Sequence, residues 1–186
     1  MEVCSIILSA GKGSRMFSDI PKPLHLISGK TMLERVIDAN KSANIKKCII
    51  VIPENCEAFK GICHDFETVV QKVPKGTGDA VKKASNLLKK FTGVILVCFG
   101  DTPFLTSETF KRVIKAFDNK TKLVITGFKK FEKNNYGKII FSKTNEPIEI
   151  IEQKDAEVRN IHSEFCNGGV MAIHSSIIKY LNKIQE

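Results

Sequence analysis

The stretch that decides the fold is Val3-Cys4-Ser5-Ile6-Ile7-Leu8, followed directly by Ser9-Ala10-Gly11-Lys12-Gly13-Ser14-Arg15-Met16. The continuous apolar run is typical of a β-strand that is buried on both faces of a parallel sheet. Gly11 and Gly13 allow backbone N–H groups to turn inward and to approach an anion closely. Lys12 and Arg15 add positive charge to the same loop. The combination predicts a strand that ends in a triphosphate-binding loop.

Two better-known phosphate-binding loops are excluded by the same residues. The dinucleotide pattern GxGxxG requires a third glycine where Met16 stands, and the Gly-Lys-Ser/Thr of a P-loop does not follow at its required spacing. Lys22, which follows Pro21, can reach the same centre as the glycine loop. Taken alone, this segment is also compatible with an ordinary glycine turn.

Apolar β-rich runs alternate with amphipathic helical patterns over the first 130 residues. Thr31 with Glu34 forms a capping box that opens one helix, Thr77 is expected to cap a second, and Thr106 or Ser107 a third. This alternation predicts an α/β fold with a Rossmann-like, mostly parallel sheet and helices on both faces, and with ligands at the carboxyl ends of the strands. The predicted strands are Val3–Leu8, Cys48–Ile52, a segment ending at Val69-Val70-Gln71, Val94–Phe99 and Leu123–Phe128.

The pattern changes after about residue 130. Tyr136–Phe141 and Pro147–Ile151 predict a β-hairpin, Phe165–Ile173 a further strand, and Ser175–Lys183 a last helix. We predict a single domain over residues 1–186, with a nucleotide-binding part at 1–130 and a second substrate-binding part at 131–186.

Composition excludes several classes of protein. The chain has 186 residues, of which 42% are hydrophobic and 26% charged, as in one globular domain. Its net charge is +9, but the lysines are scattered and no aromatic residues interleave with them, so we expect no nucleic-acid partner. The sequence shows no membrane span and no secretory signal, which predicts a cytoplasmic protein. The six cysteines form no CxxC pair and are expected to be free thiols.

The N-terminal loop, together with Pro21-Lys22-Pro23-Leu24-His25, resembles the signature of sugar-nucleotide pyrophosphorylases. More narrowly, the chain resembles the N-terminal uridyltransferase domain of the bifunctional N-acetylglucosamine-1-phosphate uridyltransferase/glucosamine-1-phosphate acetyltransferase. The resemblance covers essentially the whole chain. The motif most specific to the uridyltransferase branch is the run Glu152-Gln153-Lys154-Asp155-Ala156. The further matching motifs are Gln71 with Gly76-Thr77-Gly78, Gly100-Asp101-Thr102-Pro103, Tyr136-Gly137-Lys138-Ile139, Asn167-Gly168-Gly169 and Glu152-Gln153-Lys154-Asp155-Ala156.

The resemblance implies a nucleotide-diphospho-sugar transferase fold whose second part is a β-hairpin sugar-binding subregion. It implies that UTP and N-acetylglucosamine 1-phosphate give UDP-N-acetylglucosamine, a cell-wall precursor, and pyrophosphate by in-line attack on the α-phosphate. Mg²⁺ is the implied cofactor. The implied site residues are Arg15 and Lys22 for catalysis; Leu8, Ala10, Gly11, Lys12, Gly13, Gln71, Gly76 and Thr77 for the nucleotide; Gly137, Glu152 and Asn167 for the sugar; and Asp101 for the metal.

The chain departs from the family at several points. The family's Asn-Ala-x-Gly-Glu segment, whose asparagine is the second metal ligand, is absent, as is the trimerising C-terminal β-helix that carries acetyltransferase activity. Pro74 stands in place of glutamine, Asp79 of histidine and Gly168 of threonine. We therefore expect no acetyltransfer and a looser choice of base, and the oligomeric state stays undecided. The alternatives are a nucleotidyltransferase for another NTP and sugar phosphate or for a molybdenum-cofactor pair, and a non-catalytic nucleotide-binding relative.

Overall fold

A computed structural model of the chain describes residues 1–11, 13, 16–55, 57–132, 134–181 and 183. Backbone contacts divide the chain into two compact units, Met1–Val124 with Met171–Glu186, and Ile125–Val170. The residues from Met171 onward thus belong with the N-terminal unit, whereas the sequence placed them in the second part.

The first unit is built on a mostly parallel sheet, as predicted. Its parallel strands have the order β5-β4-β1-β6, and residues 171–174 of β10 pair antiparallel with β6. We expected the second strand to end at Ile52, but β4 also includes Pro53, which lies opposite Gln71. The strands are β1 (Val3–Leu8), β4 (Lys47–Pro53), β5 (Glu67–Gln71), β6 (Val94–Phe99) and β10 (Phe165–His174).

Helices cover both faces of this sheet because its strands are apolar on both faces. Of the helices in this unit, α3 packs on β1, β4 and β5 and contacts α6, while α1 packs against α4. Ile6, Val51 and Val97 share one buried cluster with Ala80 and Ala84 of α3. The helices are α1 (Met32–Ser42), α2 (Lys60–Cys63), α3 (Thr77–Ser85), α4 (Ser107–Lys115) and α6 (Ile178–Leu181).

The helix starts agree with the sequence in two cases and differ in a third. The Thr31 side chain accepts from the Glu34 backbone while Glu34 accepts from the Thr31 backbone, which is the predicted capping box. Thr106 caps α4. The prediction for α3 is wrong: Gly76 is the capping residue and Thr77 is already helical. Gly76 has a φ of 100°, a conformation that glycine adopts without strain.

The second unit contains the predicted hairpin. β8 and β9 are antiparallel, with Lys138 opposite Ile151, and Cys166 of β10 lies opposite Lys138 on the other side. The hairpin is followed by a helix that the sequence did not predict, because six residues are too few to show a helical period. The elements are β8 (Lys138–Phe141), β9 (Pro147–Ile151) and α5 (Gln153–Val158).

Three further strands are β2 (Leu26–Ile27), β3 (Lys30–Thr31) and β7 (Leu123–Lys129). β2 and β3 form a small antiparallel pair within the long loop before α1, and β7 pairs with β10.

Within the described part of the chain, no helix has both the length and the apolar character needed to cross a membrane.

Candidate functional site

A cavity of about 590 Å³ lies in the first unit, at the carboxyl ends of β1, β5 and β6. This is the edge where parallel α/β sheets bind ligands, and the volume is in the range of small-molecule sites. Among the described residues, its lining contains one carboxylate and one ammonium group. The described lining residues are Leu8, Ser9, Ala10, Gly11, Gly13, Met16, Lys22, Pro23, Gln71, Pro74, Gly76, Thr77, Ala80, Phe99 and Asp101.

Backbone hydrogen bonds join the loop after β1 to strand β4, and the loop after β6 to the end of β1. Ser9 N donates to Val51 O over 2.8 Å, and Gly100 N donates to Leu8 O over 2.9 Å. A Cβ atom on Gly100 would overlap the Ser9 hydroxyl, so the close approach of the two loops depends on this glycine. The loop that carries Asp101 is thereby fixed beside the glycine loop.

Gly13 brings the glycine loop into contact with Lys22. It has a φ of +58°, and a Cβ atom placed there would lie 2.8 Å from the Lys22 Cβ atom. The Lys22 backbone is itself held in a 3-10 turn over Lys22–Leu24, in which Pro23 and Leu24 are buried. A residue larger than glycine at position 13 would therefore displace the lysine that the sequence predicts as catalytic.

Lys22 and Asp101 form an ion pair at the cavity. Lys22 Nζ lies 2.6 Å from Asp101 Oδ2, and the side chains are 38% and 29% exposed. Asp101 sits in the turn after β6, where the Thr102 hydroxyl donates to Phe99 O over 2.6 Å. The two predicted residues are 79 positions apart in sequence and are brought into contact by the parallel strands.

Gln71 ends β5 and lies almost fully buried in the cavity wall, at 4% exposure. Its Nε2 atom donates to Gly76 O over 3.2 Å and to the Asp79 carboxylate over 2.8 Å. Asp79 was not among the predicted site residues, although it contacts one of them. The sequence shows that aspartate stands here in place of the family's histidine, but the contact with Gln71 depends on the turn between β5 and α3.

The predicted nucleotide site is thus largely assembled around one cavity. The catalytic candidate Arg15 and the nucleotide-binding candidate Lys12 lie outside the described residues, and the binding roles of all these residues stay predictions. The predicted residues that line the cavity are Leu8, Ala10, Gly11, Gly13, Lys22, Gln71, Gly76, Thr77 and Asp101.

The three predicted sugar-binding residues lie close together in the second unit. Asn167 N donates to Gly137 O over 2.8 Å, and a Cβ atom on Gly137 would lie 3.7 Å from Glu152 Oε1. The Asn167 side-chain oxygen accepts from Gly169 N over 3.1 Å. Glu152 precedes α5 and makes no capping hydrogen bond. The arrangement offers a carboxylate and an amide to a polar ligand.

The replacement of threonine by Gly168 has a structural reason. A Cβ atom at this position would lie 2.6 Å from the Thr126 hydroxyl oxygen. That hydroxyl donates to Val170 O over 2.7 Å and accepts from Val170 N over 3.2 Å. Thr126 therefore occupies the space that a side chain at position 168 would need.

Cys4, Cys48, Cys98 and Cys166 are free thiols, and burial suppresses the ionisation of the first three, whereas Cys56 lies outside the described residues. Burial raises the pKa of both Cys4 and Cys98 to about 12, and it raises the pKa of Cys48 as well. Thiolate is the form that ligates metals and attacks electrophiles, so we expect these three thiols to react slowly at neutral pH in the folded protein. Among the described residues, no group of three or more His, Cys, Asp or Glu side chains is arranged to hold a metal ion.

The fold and this site are those of a nucleotidyltransferase-type domain. Residues 5–162 match the family described as the MobA-like NTP transferase domain, and the chain belongs to that family. Solved structures that share the fold include the following two. HddC from Yersinia pseudotuberculosis has a TM-score of 0.75 at 21% identity over 96% of this chain and 79% of that chain. A UDP-glucose pyrophosphorylase in complex with UDP-glucose has a TM-score of 0.79 at 17% identity over 100% and 81%.

The resemblance found in the sequence is confirmed by curated relatives. The chain is 36% identical to the bifunctional protein GlmU of Ruegeria sp. (strain TM1040) in an alignment of 183 positions that covers 96% of this chain and 40% of that protein. It is 41% identical to the GlmU of Streptococcus pyogenes serotype M3 in an alignment of 157 positions that covers 82% of this chain and 34% of that protein. The chain thus spans well under half the length of these relatives.

Proposed function

We propose that the chain transfers a uridylyl group from UTP to N-acetylglucosamine 1-phosphate, giving UDP-N-acetylglucosamine and pyrophosphate. The observation that carries the proposal is the convergence of Lys22 and Asp101 on a cavity whose wall also contains Gly11 and Gly13. Family membership and similarity to GlmU support the same reaction class.

The proposed reaction requires positioning and charge neutralisation and no covalent intermediate with the protein. An oxygen of the sugar phosphate attacks the α-phosphorus of UTP, and the bond from that phosphorus to the bridging oxygen breaks. Pyrophosphate leaves with the electron pair. The Lys22 ammonium lies at the cavity wall, where it would offset the negative charge that accumulates on the transferring phosphate. The sugar would be held by Gly137, Glu152 and Asn167.

Mg²⁺ fits the chemistry of Asp101. Mg²⁺ binds hard oxygen ligands and is commonly held by one or two carboxylates together with substrate phosphates and water. Asp101 is the one carboxylate among the described cavity-lining residues, and its Oδ2 atom is already paired with a cation. We propose that Asp101 would hold the ion, which would neutralise phosphate charge, while Lys22 turns to the phosphates.

The test is a pyrophosphate-release assay on the purified chain with Mg²⁺. UTP, CTP, GTP and ATP are each combined with N-acetylglucosamine 1-phosphate and with glucose 1-phosphate. We expect the highest kcat/KM for UTP with N-acetylglucosamine 1-phosphate. A higher value for another pair would assign the chain to that pair and reject our proposal.

A thermal-shift measurement with UTP and Mg²⁺ separates the enzyme from a binding module. Ligand that binds the folded state raises Tm in a concentration-dependent manner, whether or not turnover follows. Stabilisation without pyrophosphate release from any pair would favour the non-catalytic relative. If UTP with Mg²⁺ does not raise Tm and no pair releases pyrophosphate, nucleotide binding at this cavity is rejected.

A further inference from the structure

The amide of Gln71 is held in one orientation by two acceptors. Its Nε2 atom donates one hydrogen to Gly76 O and the other to the Asp79 carboxylate. A backbone carbonyl and an ionised carboxylate can only accept hydrogen bonds. If the amide turned by 180°, its oxygen would face both of these acceptors and both bonds would be lost. The nitrogen therefore points toward Gly76 and Asp79, and the oxygen points elsewhere.

The bonds of Nε2 determine which atom the Gln71 amide can offer to a ligand. Both acceptors lie on the nitrogen side of the amide, so the atom left for a ligand is the acceptor Oε1. Gln71 lines the cavity, and a ligand bound there would therefore meet an acceptor at this position.

We infer that Asp79 is a positioning residue that selects the nucleobase by fixing Gln71 as an acceptor. The inference rests on the proposed nucleotide binding and specifies how the base is chosen. An acceptor in the wall favours a base whose ring nitrogen carries hydrogen, as in uracil. It disfavours a base whose corresponding nitrogen is a bare lone pair, as in cytosine, because two acceptors would face each other.

Asp79 is well placed to exert this control. Its side chain is 13% exposed, so its bond to Gln71 is only weakly screened by solvent. Asp79 Oδ1 lies 3.7 Å from the Lys83 ammonium, one helical turn along α3. The lysine compensates part of the charge, and the other carboxylate oxygen remains bonded to the amide. Position 79 is one of the points at which the chain departs from the family that it resembles.

The experiment measures the dissociation constants of UTP and CTP for the wild type and for Asp79→Asn by calorimetry, without sugar phosphate. We expect the wild type to bind UTP at least about tenfold more tightly than CTP, which is the scale of the penalty for one buried hydrogen-bonding group left without a partner. In the Asp79→Asn variant, the introduced amide can either accept from Gln71 Nε2 or donate to a turned Gln71, so only Gly76 O still opposes the turned orientation, in which Nε2 can donate to cytosine. The preference for UTP should then fall by about fivefold or more.

Lys83→Met is the matched control on the same helix. It removes the ion pair to Asp79 but leaves the bond from Asp79 to Gln71, so the ratio of the CTP and UTP constants should equal the wild-type value. A structural role alone would lower Tm in Asp79→Asn without changing that ratio. An unchanged ratio in Asp79→Asn, with UTP still bound, overturns the inference and leaves the proposed function intact.

Binding measurements on the wild type decide two further cases. If the wild type binds neither UTP nor CTP, the proposed function fails and the inference fails with it. If Asp79→Asn does not fold, the comparison of UTP with 3-methyl-UTP decides, because the methylated base lacks the N3–H donor. Weaker binding of 3-methyl-UTP by about tenfold or more supports the inference, and equal binding of the two overturns it.

Discussion

The Lys22–Asp101 pair allows catalysis and stability to be separated by Asp101→Asn, which keeps the shape of the side chain and removes its charge. The two side chains are 38% and 29% exposed. A partly exposed ion pair contributes about 0.2–1 kcal/mol to the free energy of unfolding. For a chain of 186 residues, this corresponds to a decrease in Tm of at most about 4 °C.

The expected effect on catalysis is far larger. Loss of one group that stabilises transferring phosphate charge costs about 3 kcal/mol, or a factor of about 100 or more in kcat. We therefore expect Asp101→Asn to release pyrophosphate at about 1% of the wild-type rate or less at saturating Mg²⁺, while unfolding within about 4 °C of the wild type. Lys22→Met should show the same separation, and the double variant should lose less than the product of the two factors because the groups act as a unit.

Lys47→Met provides the control for this experiment. Lys47 lies 3.5 Å from Glu67 in a similarly exposed ion pair, at the amino ends of β4 and β5 and thus away from the cavity edge. Its loss should cost a comparable, small amount of stability and leave the rate unchanged. The reasoning is refuted if Asp101→Asn keeps the full rate across a Mg²⁺ titration, or if Lys47→Met loses activity to the same extent.

Three other expectations concern the frame around the site. Thr31→Ala removes the capping box of α1 and should lower the free energy of unfolding by about 1 kcal/mol in urea titrations; an unchanged midpoint would contradict it. Hydrogen bonds from Thr31 lower the pKa of Glu34, so this carboxylate stabilises the fold above its ordinary pKa of 4.5, and the contribution is lost as pH falls through the lowered value. The stability advantage of the wild type over Glu34→Gln should accordingly shrink between about pH 6 and about pH 3 in denaturant unfolding, and a constant difference would argue against it. Burial raises the pKa of Cys98 to about 12, so this thiol should react with a disulfide reagent at neutral pH only after unfolding, and rapid native-state labelling at Cys98 by peptide mapping would be inconsistent with this.

Several strands and helix starts could be predicted because their signals are local. The apolar run Val3–Leu8 is observed with the predicted bounds, and so is Val94–Phe99. The Thr31 capping box needs only four consecutive residues to be recognised, and it is present. These features depend on side chains that are neighbours in sequence, so tertiary packing had little to change. The short helix α5 was missed for a related reason, since six residues give no period to detect.

The sequence by itself determined the class of fold, the glycine loop and the residue types from which a phosphate site can be built. Only the tertiary structure decided which of those residues meet: Lys22 with Asp101, and Gln71 with Asp79. The first contact joins loops that follow separate strands, and the second depends on the turn between β5 and α3. A sequence pattern shows which groups are available, but it does not show which of them lie within the distance of about 3 Å over which hydrogen bonds form. Only the packed backbone sets distances on that scale, and it thereby determines that the Gln71 side-chain nitrogen bonds both Gly76 and Asp79.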